Sequence, residues 1–214
     1  AILNPGCRFF DMRIGQSVTL TGRCITKHMA SKVNEIVAGK YDHKGESVVY
    51  GDTDSVYFSA FKTLQKEINE GVIPWTKDSV VGLYDKIAEE VNSSFKSFMT
   101  KAFHTPSTRG EVIAAGRELV ASKGLFITKK RYAVLYYDKE GKRADVDGRD
   151  GKMKAMGLDL KRSDTPVFVQ DFLSDLLYMV LQGKEEKEVL EKISEFRAEF
   201  KNRPGWEKGS PKRA

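Results

Sequence analysis

The chain has 214 residues, enough to bury a real core in one domain or two closely packed lobes, and its hydrophobic fraction of 40% is ordinary for a globular protein. Thirty-six Lys and Arg against 30 Asp and Glu leave a formal charge of +6, a modest basic excess that is compatible with a polyanionic partner without requiring one. No apolar run approaches the length of a membrane span, no signal-peptide pattern opens the chain, and two cysteines, Cys7 and Cys24, make neither a disulfide framework nor a zinc site, so no membrane is expected and a reducing cytoplasm is.

Asn4-Pro5-Gly6 is turn-like. Val18, Gly22, Ile25, Met29, Val33 and Ile36 then recur at helical spacing and predict a long helix over about 14–38, ended by Gly39. Val48–Tyr50 and Val56–Phe58 read as two short strands. Gly51, with the Asp, Thr and Ser residues after it, supplies turn chemistry between them. The helix should lie against the sheet that carries this hairpin. Residues 59–77 carry Leu64, Ile68, Val72, Ile73 and Trp75 without an assigned element. A second helix is predicted over 78–103, with Ile87, Val91, Phe95, Phe98 and Phe103 mostly on one face as core, and Pro106 closing it.

Two runs rich in Val, Ile, Tyr and Phe follow, EVIAAGRELVAS and GLFITKKRYAVLYYD, and read as strands broken at Lys123-Gly124. DKEGKR is a charged turn around Gly141, DVDGRDG a second turn, and KMKAMGL a further strand. DVDGRDG looks like a calcium loop but lacks the closing glutamate, so an exposed turn fits it better. Thr165 reads as a helix N-cap with Pro166 at the first helical position. The helix behind it carries the stripe Val169, Phe172, Leu173, Leu176, Leu177, Val180 and Leu181. After Gly183 a last helix runs to about Lys201 with Leu190, Ile193, Phe196 and Phe200 inward, and the tail NRPGWEKGSPKRA is expected to be mobile.

The chain holds no internal repeat, Walker loop, GxGxxG or Ser/His/Asp grouping. His28, His43 and His104 are scattered and are not expected to be catalytic. Two places carry chemistry. At the hairpin tip, Asp52 and Asp54 stand one residue apart, and strand alternation tends to turn positions two apart to one side. An Asp-x-Asp in a loop is usually an ordinary turn. Here apolar strands flank it, and two adjacent carboxylates at the end of a buried sheet call for a proton or a divalent cation between them. The second place is Lys129, Lys130 and Arg131, three cations read as lying inside a strand and followed by Tyr132. Alternation sends Lys130 and Tyr132 to one face and Lys129 and Arg131 to the other. They serve either as lysine guards of an edge strand or as contacts to phosphates and a groove.

Together, YGDTDSVYF, SKGLFITKKRYAVLYYDKEGKR and MGLDLKRSDTPVFVQ resemble the family B DNA polymerases, most closely those of tailed bacteriophages. NPGCRFFDMR is similar to the segment just after that family's fingers helix, so the resemblance runs in order through essentially the whole chain. It implies an α+β fold, with an antiparallel palm sheet and packed helices over 1–182 and the helical base of a thumb over 183–214. It makes Asp54 the main ligand of the hairpin for two Mg2+ ions in nucleotidyl transfer. Asp52 becomes a supporting acidic residue and Glu118 a further acidic residue near the metals. It gives Lys129, Lys130, Arg131 and Tyr132 to the primer–template duplex, with Lys130 at the minor groove, and makes deoxynucleoside triphosphates the substrates. The upstream palm aspartate, the fingers, the exonuclease motifs and most of the thumb are not found. A role as one part of a larger or naturally split polymerase follows, inactive alone and working in the cytoplasm of a host cell. The competing class is a nucleic-acid-binding module without catalysis.

Overall fold

A computed structural model describes residues 3–146, 148–162 and 164–209. The chain forms two compact units, Ala1–Arg117 and Glu118–Ala214, and the fold is α+β. Among the described residues no helix is long and apolar enough to cross a membrane.

In the first unit, α1 (Met12–Ala38) starts two residues before the expected boundary because the Asp11 side chain accepts from the Arg13 N–H at 2.8 Å and caps it. Gly39 ends it in the left-handed conformation, φ 72°, its N–H donating to the Glu35 carbonyl. The strands β1 (Val48–Gly51) and β2 (Val56–Phe58) form the antiparallel hairpin. A short helix, α2 (Gln65–Asn69), occupies the stretch left unassigned, and α3 (Lys77–Phe103) opens on a capping box between Thr76 and Ser79. The core is Val33, Ile87, Val91 and Phe95, with Val48 and Phe58 of the hairpin packed against it. The hairpin is therefore seated on α1 and α3 as the apolar patterns require, each buried side chain contributing about 1.5–3 kcal/mol. Asn34, 1% exposed, ties the loop between α1 and β1: its amide donates to the Asp42 carbonyl at 2.7 Å and its oxygen accepts the Ser47 N–H at 3.1 Å.

After the single turn α4 (Ser107–Gly110), residues 111–117 depart from the predicted strand. They form a strap along α3. Glu111 pairs with Lys96, Arg117 pairs with Asp85, and the Asn92 side chain both accepts the Ala115 N–H at 2.7 Å and donates to the Ala115 carbonyl at 2.9 Å. Asn92 thus gives Ala115 the two hydrogen bonds that a neighbouring strand normally supplies.

The second unit begins at Glu118. Strand β3 (Leu119–Thr128) pairs antiparallel with β4 (Arg131–Lys139), whose other side pairs with β5 (Lys142–Arg143) and β6 (Lys152–Met156). β3 continues through Lys123-Gly124, where the sequence predicts a break, with its pairing register shifted just before it, between Ala121 and Lys123. Gly124 marks a close approach instead: a Cβ there would stand 2.9 Å from the Phe126 ring and 3.2 Å from Val134. The central strand β4 is buried through Tyr132–Leu135, and Ala133, Leu135, Ala155, Leu160 and Leu181 form the core under α5 (Val167–Gln182). Pro166, not Thr165, is the N-cap of α5; the Thr165 hydroxyl instead donates to the Asp159 carbonyl at 3.2 Å, in the 3-10 turn Asp159–Lys161. In α6 (Glu186–Asn202), Phe196 stacks on Phe172 of α5 at 3.7 Å. The tail is structured as far as α7 (Gly205–Lys208), because Arg203 pairs with Glu199 and Glu207 and lies 4.4 Å over the Phe168 ring; residues 210–214 lie outside the described residues. On either side of residue 147, which lies outside the described residues, Arg143 pairs with Asp145 at 2.8 Å and the Arg149 N–H donates to the Val146 carbonyl at 3.2 Å.

Candidate active-site hairpin and basic turn

β1 and β2 pair through Tyr50↔Tyr57 and Gly51↔Val56, so residues 52–55 form the tip. The Asp52 N–H closes it by donating to the Ser55 carbonyl at 3.0 Å. Because β1 ends at Gly51, Asp52 and Asp54 lie in the turn and not on a strand. Turn geometry, not the two-residue period, sets their directions. Asp52 is half-buried and engaged: one carboxylate oxygen accepts the Thr53 N–H at 2.9 Å and the Thr53 hydroxyl at 3.3 Å, the other the Tyr50 hydroxyl at 3.4 Å. Asp54 is exposed to solvent. The Thr26 hydroxyl of α1 reaches the carbonyl of Thr53, between the two aspartates, at 2.9 Å.

This donor set fits half of a magnesium site. Mg2+ takes one or two protein carboxylates and completes its octahedron with phosphates and water. Asp54 can offer its carboxylate to an ion without giving up solvent access, and Asp52 is stiffened by its own turn. Among the described residues no group of three or more His, Cys, Asp or Glu side chains is placed to hold a metal, so the hairpin brings two carboxylates and no third. Glu118 belongs to the second unit, where it is exposed and paired with Lys154 of β6 at 2.7 Å. At that exposure the pair is worth under about 1 kcal/mol.

Of the three cations expected inside a strand, Lys129 and Lys130 lie in a turn, and Arg131 opens β4. Phe126 pairs with Tyr132 and Thr128 with Arg131, which leaves Lys129 and Lys130 as the two-residue link between β3 and β4. Lys130 takes φ 63°, a left-handed conformation. Strand alternation therefore does not sort Lys129 and Lys130 between faces, whereas Arg131 and Tyr132, consecutive in β4, fall exposed and buried as alternation predicts. Lys129, Lys130 and Arg131 are all exposed, whereas Tyr132 is 6% exposed with its ring stacked on Phe126 at 5.6 Å. The turn leans on Gly157. The Arg131 Nε donates to the Gly157 carbonyl at 3.2 Å, and a Cβ at Gly157, itself at φ 65°, would stand 2.1 Å from the Lys130 carbonyl oxygen. Thr26, Lys154 and Gly157 carry no chemical motif of their own. Only the glycine, inside the stretch MGLDLKRSDTPVFVQ, left a mark in the sequence.

The sequence profile of DNA polymerase family B matches residues 6–203. The chain is 33% identical over 197 residues to the DNA-directed DNA polymerase of Escherichia phage RB69, an alignment covering 86% of this chain and 21% of that protein. It is 28% identical over 217 residues to the DNA-directed DNA polymerase of Enterobacteria phage T4, covering 94% of this chain and 23% of the relative. It is also 28% identical over 172 residues to the DNA polymerase delta catalytic subunit of Glycine max, covering 79% and 13%. The chain thus spans about a fifth of the length of the phage relatives it matches.

Proposed function

This chain belongs to DNA polymerase family B, and from that premise we propose that it supplies the hairpin half of a two-metal nucleotidyl-transfer site together with contacts to a primer–template duplex. Residues 1–182 serve as palm and 183–214 as the base of a thumb. The observation that carries this reading is the hairpin tip itself, two aspartates on a tight turn, one of them open to solvent and the other braced from Tyr50 and Thr53.

Asp54 holds the metals directly, and Asp52 supports it as a second acidic group. Glu118 is a further acidic contact, available once it parts from Lys154. Two Mg2+ ions, when bound, lower the pKa of the primer 3′-hydroxyl and stabilise charge on the departing pyrophosphate. Lys129, Lys130 and Arg131 neutralise duplex phosphates from an exposed turn, with Lys130 at the minor groove, and Tyr132 supports that turn from beneath through Phe126. Deoxynucleoside triphosphates are the substrates, and the remaining palm, fingers and thumb are partners in cis or in a second chain. The work is done in the cytoplasm of a host cell.

The metal reading is tested with Mn2+ as the probe and the isotope-labelled chain in solution. Sub-stoichiometric Mn2+ is expected to broaden the amide signals of residues 52–55. Asp54→Asn removes the effect, and Asp52→Asn weakens it less. Broadening that persists unchanged in Asp54→Asn overturns the assignment.

A further inference from the structure

Thr53, the residue between the two aspartates, is tied to α1 by a hydrogen bond that the pairing of β1 and β2 does not require. We propose that Thr26 is a positioning residue for the metal-binding hairpin, its hydroxyl fixing the Thr53 peptide and through it the direction of the Asp54 carboxylate. This rests on the metal reading of the hairpin given above.

The Thr26 Oγ1 lies 2.9 Å from the Thr53 carbonyl oxygen and 3.0 Å from the Gly22 carbonyl oxygen. A hydroxyl has one proton to give. The Gly22 carbonyl already receives the Thr26 backbone N–H in the helical ladder, so the proton is of more use to Thr53, at the exposed tip. A threonine hydroxyl turned back onto its own helix is common and by itself means little. What distinguishes Thr26 is the second acceptor, 27 residues away in sequence and adjacent to both carboxylates.

Bonds within the hairpin also shape the tip. Asp52 N–H reaches Ser55, Asp52 accepts from Thr53, and Tyr50 donates to Asp52. They set the shape of the turn, while Val48 and Phe58 seat the strands behind it on the core. The strands are only four and three residues long, and a hairpin that short is marginal by itself. α1 is anchored by Ile25, Met29 and Val33 in the core, so Thr26 links the tip to a rigid element next to that anchor. Carboxylates that must hold an ion in a fixed geometry gain from such support.

The test compares Thr26→Val, which replaces the hydroxyl with a methyl of similar size, and Thr26→Ser, which keeps the hydroxyl. Both are read in the full chain by Mn2+ broadening of residues 52–55 and by the carbonyl carbon shift of Thr53. Thr26→Val is expected to need about three- to tenfold more Mn2+ for equal broadening, the scale set by one neutral hydrogen bond, and to shift the Thr53 carbonyl signal. Thr26→Ser is expected to match the parent in both. If Asp54→Asn removes the broadening and Thr26→Val still matches the parent, the positioning role is overturned while the metal reading stands. If Asp54→Asn leaves the broadening intact, the metal reading falls and this proposal with it. A loss in Thr26→Ser while Thr26→Val matches the parent also overturns it, because the methyl, which valine keeps, and not the hydroxyl would then be at work. Should Thr26→Val lose its fold, Thr26→Ala, which also lacks the hydroxyl, is read in the same way: a Thr53 carbonyl shift away from the parent supports the role, and a match to the parent overturns it.

Discussion

At the scale of single residues, His28 shows how the fold sets a proton's place. It is 6% exposed, stacked on Phe98 at 3.9 Å, with Nδ1 and Nε2 each 2.8 Å from a hydroxyl, of Tyr41 and Ser94. The Ser94 hydroxyl lies 2.6 Å from the Val91 carbonyl and donates there. The imidazole therefore carries its proton on Nε2, donates to Ser94, and accepts from Tyr41 through bare Nδ1. Burial first, and Lys32 second, hold its pKa below the ordinary 6.5. The unfolded chain then takes up a proton near pH 6.5 that the folded chain refuses, so stability is intact above that pH and falls as the pH drops from 6.5 toward the lower folded pKa. Urea midpoints measured at steps between pH 7.5 and 5.5 should decline in the parent and stay flatter in His28→Asn. Parallel declines in the two chains would remove His28 as the cause.

At the scale of elements, the strap of residues 111–117 shows why extended chain does not make a strand. Its partners Asp85, Asn92 and Lys96 lie seven and then four positions apart, on one face of α3. The two Asn92 bonds to Ala115 are the central fixing point. Asn92→Ala removes both and is expected to cost about 1–3 kcal/mol, at about 0.5–1.5 kcal/mol for each bond. Native-state hydrogen exchange should show the Ala115 amide speeding up in that variant, and an unchanged Ala115 rate would mean the strap is held elsewhere. The same scale explains the hairpin of β3 and β4. A glycine in mid-strand read as a break because glycine weakens strands, yet Gly124 is there to admit the Phe126 ring. The chain turns two lysines at 129–130, where the sequence offered no glycine, and Lys130 carries the left-handed φ itself.

At the scale of the whole molecule, the chain carries an exposed basic turn and the two-aspartate hairpin proposed as half a metal site. Binding to primer–template DNA without synthesis is the expected behaviour, because catalysis of this kind needs every positioning part in place. With two or three phosphate contacts from Lys129, Lys130 and Arg131, log affinity should fall against log salt with a slope of roughly −2 to −3, alike for every duplex sequence. Lys130→Gly is the cleaner probe of the charge, since glycine accepts the left-handed backbone that alanine resists. A salt titration in which that variant keeps the parent's affinity and slope would leave Lys130 with only a structural place in the turn, and primer extension by the pure chain would show that the site is more complete than half.

The sequence by itself determined the long helices, the hairpin, the α+β class and the family. Helical and strand periods are local, and Gly39, Gly183 and the spacing of Val33 or Leu177 express them without reference to the rest of the chain. The motifs around Asp52, Asp54 and Lys129–Tyr132 are likewise contiguous. Tertiary structure alone decided the partners: Asn92 for Ala115, Lys154 for Glu118, Gly157 for the lysine turn and Thr26 for Thr53. A polar group in extended or turning chain satisfies its hydrogen bonds with whatever the fold brings within about 3 Å, and that proximity joins residues tens of positions apart that carry no shared pattern.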